Sequence, residues 1–186
     1  MIPTREQAWA LLTEHTRNPN LLKHALGVEA AMRAYARQFE DDEELWGVVG
    51  LLHDLDYEKH PSLEEHPFVG ADILRGEGYS EEIVRAVLAH ADHTGVARDS
   101  QMAKALYAVD ELVGFVVAVA LVRPAKSISD LPVKSVTKKF KDKAFCRAID
   151  RDHLRAGAED LGVDMGAHVE TVTASLAGIA KELELA

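Results

Sequence analysis

Leu51-Leu52-His53-Asp54-Leu55-Asp56-Tyr57 closes an apolar run that passes through Leu45, Trp46, Val48 and Val49. The run reads as a helix, and it ends with two metal-binding side chains side by side. Neighbours on a helix point about 100° apart, because a turn holds about 3.6 residues. Both can still grip one ion at the helix's C-terminal end. An imidazole nitrogen beside a hard carboxylate suits Mn, Fe, Co, Ni or Zn better than Ca or Mg. Taken alone, the pair also fits a capped helix end with solvated polar groups, so the choice depends on the remaining histidines.

Working outward, Asp41-Asp42-Glu43-Glu44 places negative charge where this helix starts, as the macrodipole favours. Upstream, Asn18-Pro19 is a cap followed by proline at the first helical position. Leu21, Leu22, Ala25, Val28, Ala31, Met32 and Tyr35 then recur at helical spacing. His24 lies in that segment and by itself reads as a core histidine; Gly27, one turn away, allows a close approach. Before it, Thr4 with Gln7 forms a capping box for a first helix that ends near His15, which reads as a surface or last-turn residue.

Downstream, residues 56–62 are a charged loop ending in Pro61-Ser62. Ser62 and Glu65 form a second capping-box pattern, for a helix carrying His66, Pro67, Val69, Ile73 and Leu74 and ended by Gly76 and Gly78. Ser80 caps the next helix, which closes on His90 and His93, three apart and on one face if the helix continues. Asp99-Ser100 opens a long apolar helix with Asp110 in its middle. A carboxylate there costs on the order of several kcal/mol unless it is paired or metal-bound. Glu111 reads as a surface residue. Pro124 stops this helix. A Lys-rich segment follows, read as two short helices anchored by Phe140 and Phe145. A helix over 150–161, a break at Gly162-Val163-Asp164 and a last helix over 166–185 complete the chain. No strand-period segment or repeat is present, and the fold class is all-α.

The 186 residues suit one compact domain, with a core at about 18–122 and a C-terminal helical lobe at about 123–186. The single Cys146 excludes an internal disulfide and a CxxC metal site. No apolar run reaches the roughly 20 residues that span a bilayer, and the N-terminal residues lack a signal-peptide layout. A cytoplasmic protein with no membrane contact is expected. The net charge of −10 argues against a nucleic acid polymer as partner. Residues 123–147 nevertheless carry a net +6, leaving −16 on the rest. This island reads either as a solvated lysine-rich helix or as a lure for an anionic substrate. The oligomeric state is left open.

The candidate ligands His24, His53-Asp54, His66, His90 and Asp110 fall on separate predicted helices apart from the adjacent pair, and helical bundles build metal sites in this way. In order and spacing, His24, His53-Asp54 and Asp110 resemble the H…HD…D pattern of the HD-domain superfamily of metal-dependent phosphohydrolases. Glu65-His66-Pro67-Phe68-Val69-Gly70-Ala71-Asp72-Ile73-Leu74 is similar to the HP..GA..L segment of its HDIG and HD-GYP branches, and Val87-Leu88-Ala89-His90 to their next histidine helix. The HDIG tetrad itself is not intact, since the chain has His53-Asp54-Leu55-Asp56. The HD-GYP signature is absent, so the resemblance is to the HDIG-like side.

The resemblance implies an HD-domain helical bundle and one or two divalent transition metal ions. His24, His53, Asp54 and Asp110 would bind the first, and His66 and His90 the second, with Asp54 bridging. It also implies hydrolysis of a small anionic phosphate-containing substrate, possible nucleotides included, by metal-activated water, with Asp54 as the catalytic residue. Lys59, His93, Arg123 and Lys126 are the candidate phosphate contacts. Asp56, Glu58 and His93 are the candidate proton donors by nearness in sequence. The same ligand set also serves di-iron HD-type oxygenases, and a non-catalytic nucleotide-sensing module is a third alternative.

Overall fold

The computed structural model describes residues 3–186; Met1 and Ile2, part of the N-terminal stretch judged unlike a signal peptide, lie outside the described residues. The described residues form nine α-helices and one short 3-10 turn, with no strand. The helices are α1 (Arg5–His15), α2 (Pro19–Gln38), α3 (Glu43–Leu52), α4 (Phe68–Gly76), α5 (Glu81–Ala89), α6 (Gln101–Leu121), α7 (Val133–Phe140), α8 (Arg151–Leu161) and α9 (Met165–Gly178). None is long and apolar enough to cross a membrane.

Most helix starts follow the local chemistry of the chain. Thr4 and Gln7 close a capping box on α1. Asn18, Asp42, Ser80, Ser100, Asp150 and Asp164 each accept a backbone N–H in the first turn of α2, α3, α5, α6, α8 and α9. These bonds satisfy donors that the helix cannot satisfy internally.

Four expectations need correction. Ser62 does not cap a helix carrying His66. Its hydroxyl bonds the Glu65 carboxylate, and after one turn the helix starts at Phe68. A helix from Ser62 would place Pro67 at its fifth position, where the missing N–H would break the ladder. His66 therefore precedes α4. The helix bearing His90 does not continue either: α5 ends at Ala89, His90 caps it, and His93 lies in the 3-10 turn Asp92–Thr94. The Lys-rich segment holds one helix, α7, rather than two. Beyond it the chain runs in turns, which the Arg151 guanidinium holds by donating to the carbonyls of Cys146, Ile149 and Phe145. Phe140 and Phe145 do anchor the segment, edge-on to Phe115 at 5.3 and 5.6 Å. The last helix ends at Gly178, a weak helix former. The tail then folds back, burying Ala180, Leu183 and Leu185, and the Leu185 carbonyl accepts from the Ile128 N–H at 2.8 Å.

The core is built on α2, α3 and α6. The contact of α2 with α3 is the most extensive between helices, and α6 packs on α2, α5, α8 and α9. Trp46, Tyr35, Phe115, Met32 and Leu112 are fully buried among these helices. At the crossing of α2 and α3, a Cβ on Gly50 would lie 2.9 Å from the Glu29 Cα, so only glycine permits this approach. Gly27 likewise lets α2 meet Val113 of α6 and Leu176 of α9. Glu111 is half-buried rather than on the surface; burial pushes its carboxyl pKa up, and its Oε2 has no hydrogen-bond partner.

His168 ties α9 to α2 and α6. Its Nε2 lies 3.0 Å from the Ala108 carbonyl and its Nδ1 2.5 Å from the Tyr35 hydroxyl. A carbonyl can only accept, so Nε2 carries the proton and the Tyr35 O–H donates to Nδ1. The ring is fully buried, and burial lowers its pKa below the ordinary histidine value.

Two predictions follow from this packing. Gly50→Ala should lose about 1–3 kcal/mol to overpacking, more than the gain of about 1 kcal/mol in helix propensity. Gly178→Ala, where a Cβ meets nothing within 4 Å, should lose none. Urea unfolding midpoints at constant slope check both. For His168 the folded pKa is lowered, so its neutral-form contribution is complete above about pH 6.5 and is lost as the pH falls below that value toward the folded pKa. The stability gap between wild type and His168→Gln should narrow from pH 8 to pH 5 in urea titrations. A constant gap would contradict the assignment.

Candidate metal centre

His24 lies in the second turn of α2, His53 caps α3, Asp54 follows it, and Asp110 is midway along α6. The packing of these helices brings the four side chains together. His24 Nε2 is 2.8 Å from Asp110 Oδ1 and 4.0 Å from Asp54 Oδ2. His53 Nε2 is 3.4 Å from both Asp54 Oδ2 and Asp110 Oδ1. On the other oxygen of Asp54, His66 Nε2 lies at 3.4 Å and His90 Nε2 at 3.6 Å. Two potential ligand groups result, His24–His53–Asp54 and Asp54–His66–His90, and they share Asp54.

Each inner histidine is aimed by its Nδ1. The His53 Nδ1–H donates to the Gly50 carbonyl at 2.9 Å, and the His90 Nδ1–H to the Val87 carbonyl at 2.5 Å. His66 Nδ1 bonds Asp56 Oδ1 at 2.7 Å, and Asp56 Oδ2 accepts the Gly70 N–H at 2.7 Å. Such partners fix the tautomer that leaves Nε2 as the ligating atom. His53 is fully buried, and its Nε2 has no hydrogen-bond partner. Its 3.4 Å separations exceed the usual hydrogen bond of about 2.7–3.2 Å. They match donors that each sit about 2.0–2.2 Å from a shared ion. The donor set and this orphaned nitrogen therefore fit a divalent transition metal.

The electrostatics point the same way. Burial works to lower the pKa of His53, but Asp54 and Asp110 outweigh it and raise that pKa well above the ordinary value. Burial likewise lowers His90, and Asp54 more than offsets it. Burial works to raise the carboxyls, yet His53 with His90 holds Asp54 well below the usual carboxylate range, and His53 with His24 does so for Asp110. The pocket thus keeps carboxylates ionised in a buried setting, and the positive charge that balances them can be protons or a cation. Asp54 and Asp110 retain 19% and 20% side-chain exposure, so the centre opens to solvent on their side.

The other predicted residues are placed differently. Asp56 is buried behind His66, hydrogen-bonded on both oxygens, and is not poised to give up a proton. Glu58 accepts the Arg17 and Asn18 N–H groups, both at 2.8 Å, and ties down the α1–α2 loop. His93 is exposed, with its Nε2–H donating to the His66 carbonyl at 2.8 Å. Lys59 is exposed on the turn after the centre. Arg123 is engaged with the Ser127 carbonyl and Asp130, and Lys126 is exposed in the same loop. Both lie beyond Leu121, which is about 16 Å from Asp110 along the α6 axis. The structure does not bring them to the ligand cluster. Sequence reasoning missed the orienting role of Asp56 and the need for Gly70. A Cβ on Gly70 would come 3.1–3.3 Å from the Asp56 carboxyl, so its glycine lets the backbone N–H reach that group. The available signal was a glycine in an apolar helical segment one turn after His66.

The sequence profile of the HD domain family matches residues 21–120, which hold all six clustered side chains. A ribonuclease Y from Oleidesulfovibrio alaskensis (strain ATCC BAA-1058 / DSM 17464 / G20) is 32% identical over 96 residues, 51% of this chain and 18% of that protein. The chain therefore matches less than a fifth of this relative's length. No solved structure matches the chain.

Asp56→Ala should weaken Zn or Mn binding about 10- to 100-fold, because His66 loses the carboxylate that orients it. Competition against a chromophoric chelator measures this, with circular dichroism to verify the helical fold. Unchanged affinity would remove Asp56 from the centre.

Proposed function

We propose that this chain, which belongs to the HD domain family, is a metal-dependent phosphohydrolase acting on a small phosphate ester. The observation that carries the reading is the sharing of Asp54: one oxygen faces His24 and His53, the other His66 and His90. His24, His53 and Asp54, with Asp110 beside both histidines, would hold one divalent ion, and Asp54, His66 and His90 a second. A bound ion supplies Lewis acidity, both for activating water near neutral pH and for polarising a phosphoryl oxygen.

The chain's own groups supply the rest. Gly50, Val87 and Asp56 hold the three inner imidazoles in the tautomer with Nε2 free. The buried Asp56–Gly70 bond keeps His66 from turning. The open side at Asp54 and Asp110 admits the phosphate. A leaving oxygen needs a proton. Asp56 and Glu58 are committed elsewhere, which leaves exposed His93, held beside His66 by its Nε2–H, as the donor through Nδ1 of its protonated ring. Lys59 is the remaining nearby cation for the phosphate's outer oxygens. A relative named as a ribonuclease supports phosphoester chemistry at such a centre. The net charge of −10 argues against a polymer as this chain's own substrate.

Asp54→Ala should abolish metal-dependent release of phosphate from a panel of phosphomonoesters while retaining the helical circular dichroism spectrum. Elemental analysis of anaerobically purified protein should give two ions per chain, falling toward one in His66→Ala. Retained turnover in Asp54→Ala would overturn the reading, as would iron-loaded protein that consumes oxygen and hydrolyses no ester.

A further inference from the structure

A cleft of about 440 Å³ opens beside the centre, and His24 belongs to both. We propose that this cleft takes the uncharged, apolar organic group of the phosphate ester. The proposal rests on the phosphohydrolase reading and adds the class of substrate. Along α6, Asp110, Gly114, Val117 and Leu121 step by four, three and four residues, so they lie on one stripe of the helix. Asp110 meets the ligand cluster, and the other three continue from it as the cleft's floor. Leu183 and Leu185, from the folded-back tail, form the opposite wall. The volume is in the range of small-molecule sites, and the wall chemistry is mainly apolar.

Gly114 is the second, independent observation. A glycine weakens a helix interior relative to alanine. In the other helix interiors a glycine is explained by a close neighbour, as at Gly50 against α2, whereas Gly76 and Gly178, which likewise meet nothing, are the last residues of α4 and α9. At Gly114 a Cβ would meet nothing within 4 Å, and no positive φ requires glycine. What the missing side chain leaves is space in the cleft floor, one turn from Asp110. Leu121 stays 48% exposed at the far end, an apolar surface that the described residues leave about half uncovered.

The lining also states what the group is not. Among the described residues around the cleft, Lys23 and Glu184 carry charge, and they neutralise each other through a 2.6 Å ion pair at the rim. No aromatic ring other than the His24 imidazole faces a stacking base. The match is an alkyl or simple aryl phosphate, with its phosphate at the Asp54 side and its hydrocarbon against Gly114, Val117 and Leu121.

The test uses methyl-, propyl- and hexylphosphonate, whose carbon–phosphorus bond is not a substrate for ester hydrolysis, titrated calorimetrically into Mn-loaded protein beside inorganic phosphate. In wild type, each added methylene should tighten binding about fourfold. Gly114→Leu should erase that dependence, so that hexylphosphonate binds no tighter than methylphosphonate, and Gly114→Ala should reduce it. Both variants put a better helix former into open space, and circular dichroism and unfolding midpoints verify that they fold. Equal binding of all three phosphonates by wild type would overturn the cleft proposal and leave the phosphohydrolase reading intact. So would a chain-length dependence that survives in Gly114→Leu. Failure of every probe to bind, inorganic phosphate included, would overturn the phosphohydrolase reading and this proposal with it. A solution dimer that Gly114→Leu dissociates would assign the cleft to a second copy of the chain and likewise overturn it.

Discussion

The carboxylate of Asp54 is the constraint on which the rest depends. Three buried or nearly buried imidazoles turn their Nε2 atoms toward it at 3.4–3.6 Å, from the end of α3, the turn before α4 and the end of α5. A fourth, His24, reaches it from α2. An ionised carboxylate in such surroundings is tolerated only when positive charge balances it. The histidines provide that when protonated, and a cation provides it when they are neutral.

Holding four helices at one carboxylate demands close and stiff packing. The glycines at the α2–α3 crossing and at the start of α4 serve this end in two ways. Gly50 removes a side chain so that two backbones can meet, and its carbonyl then aims His53. Gly70 removes one so that its N–H can reach Asp56, which aims His66. Gly50 thus sets a helix distance and orients a histidine at once, and Gly70 orients a second histidine through Asp56. A displacement of either helix would therefore move the site and its support together.

The C-terminal residues share in this arrangement. α9 is fastened to α2 and α6 through His168, and the tail after Gly178 turns back to place Leu183 and Leu185 opposite α6. The stripe on α6 that carries Asp110 thus continues into a cleft whose far wall comes from the last residues. A single helix thus carries a charged residue at the ligand cluster and apolar residues beyond it. In the basic island of 123–147, Arg123 is engaged with Asp130 and Lys139 with Asp142.

The sequence by itself determined the all-helical class, most helix starts and the residues that cluster. These are written in local chemistry: capping side chains within three residues of the groups they satisfy, apolar spacing of three and four, and ionisable groups set in apolar helices where they cost free energy without a partner. It misjudged the start of α4, the end of α9 and the second Lys-rich helix, where Pro67 lacks a backbone donor, Gly178 is a weak helix former and Arg151 holds turn carbonyls. Only the tertiary structure decided that Asp56 stands behind His66, that Glu58 is taken by the α1–α2 loop, that Arg123 and Lys126 lie away from the ligand cluster, and that a cleft adjoins His24. Distance along the chain carries no information on these points. Asp56 and Glu58 are two residues apart, yet the direction in which each carboxylate points is set by helices packed from elsewhere.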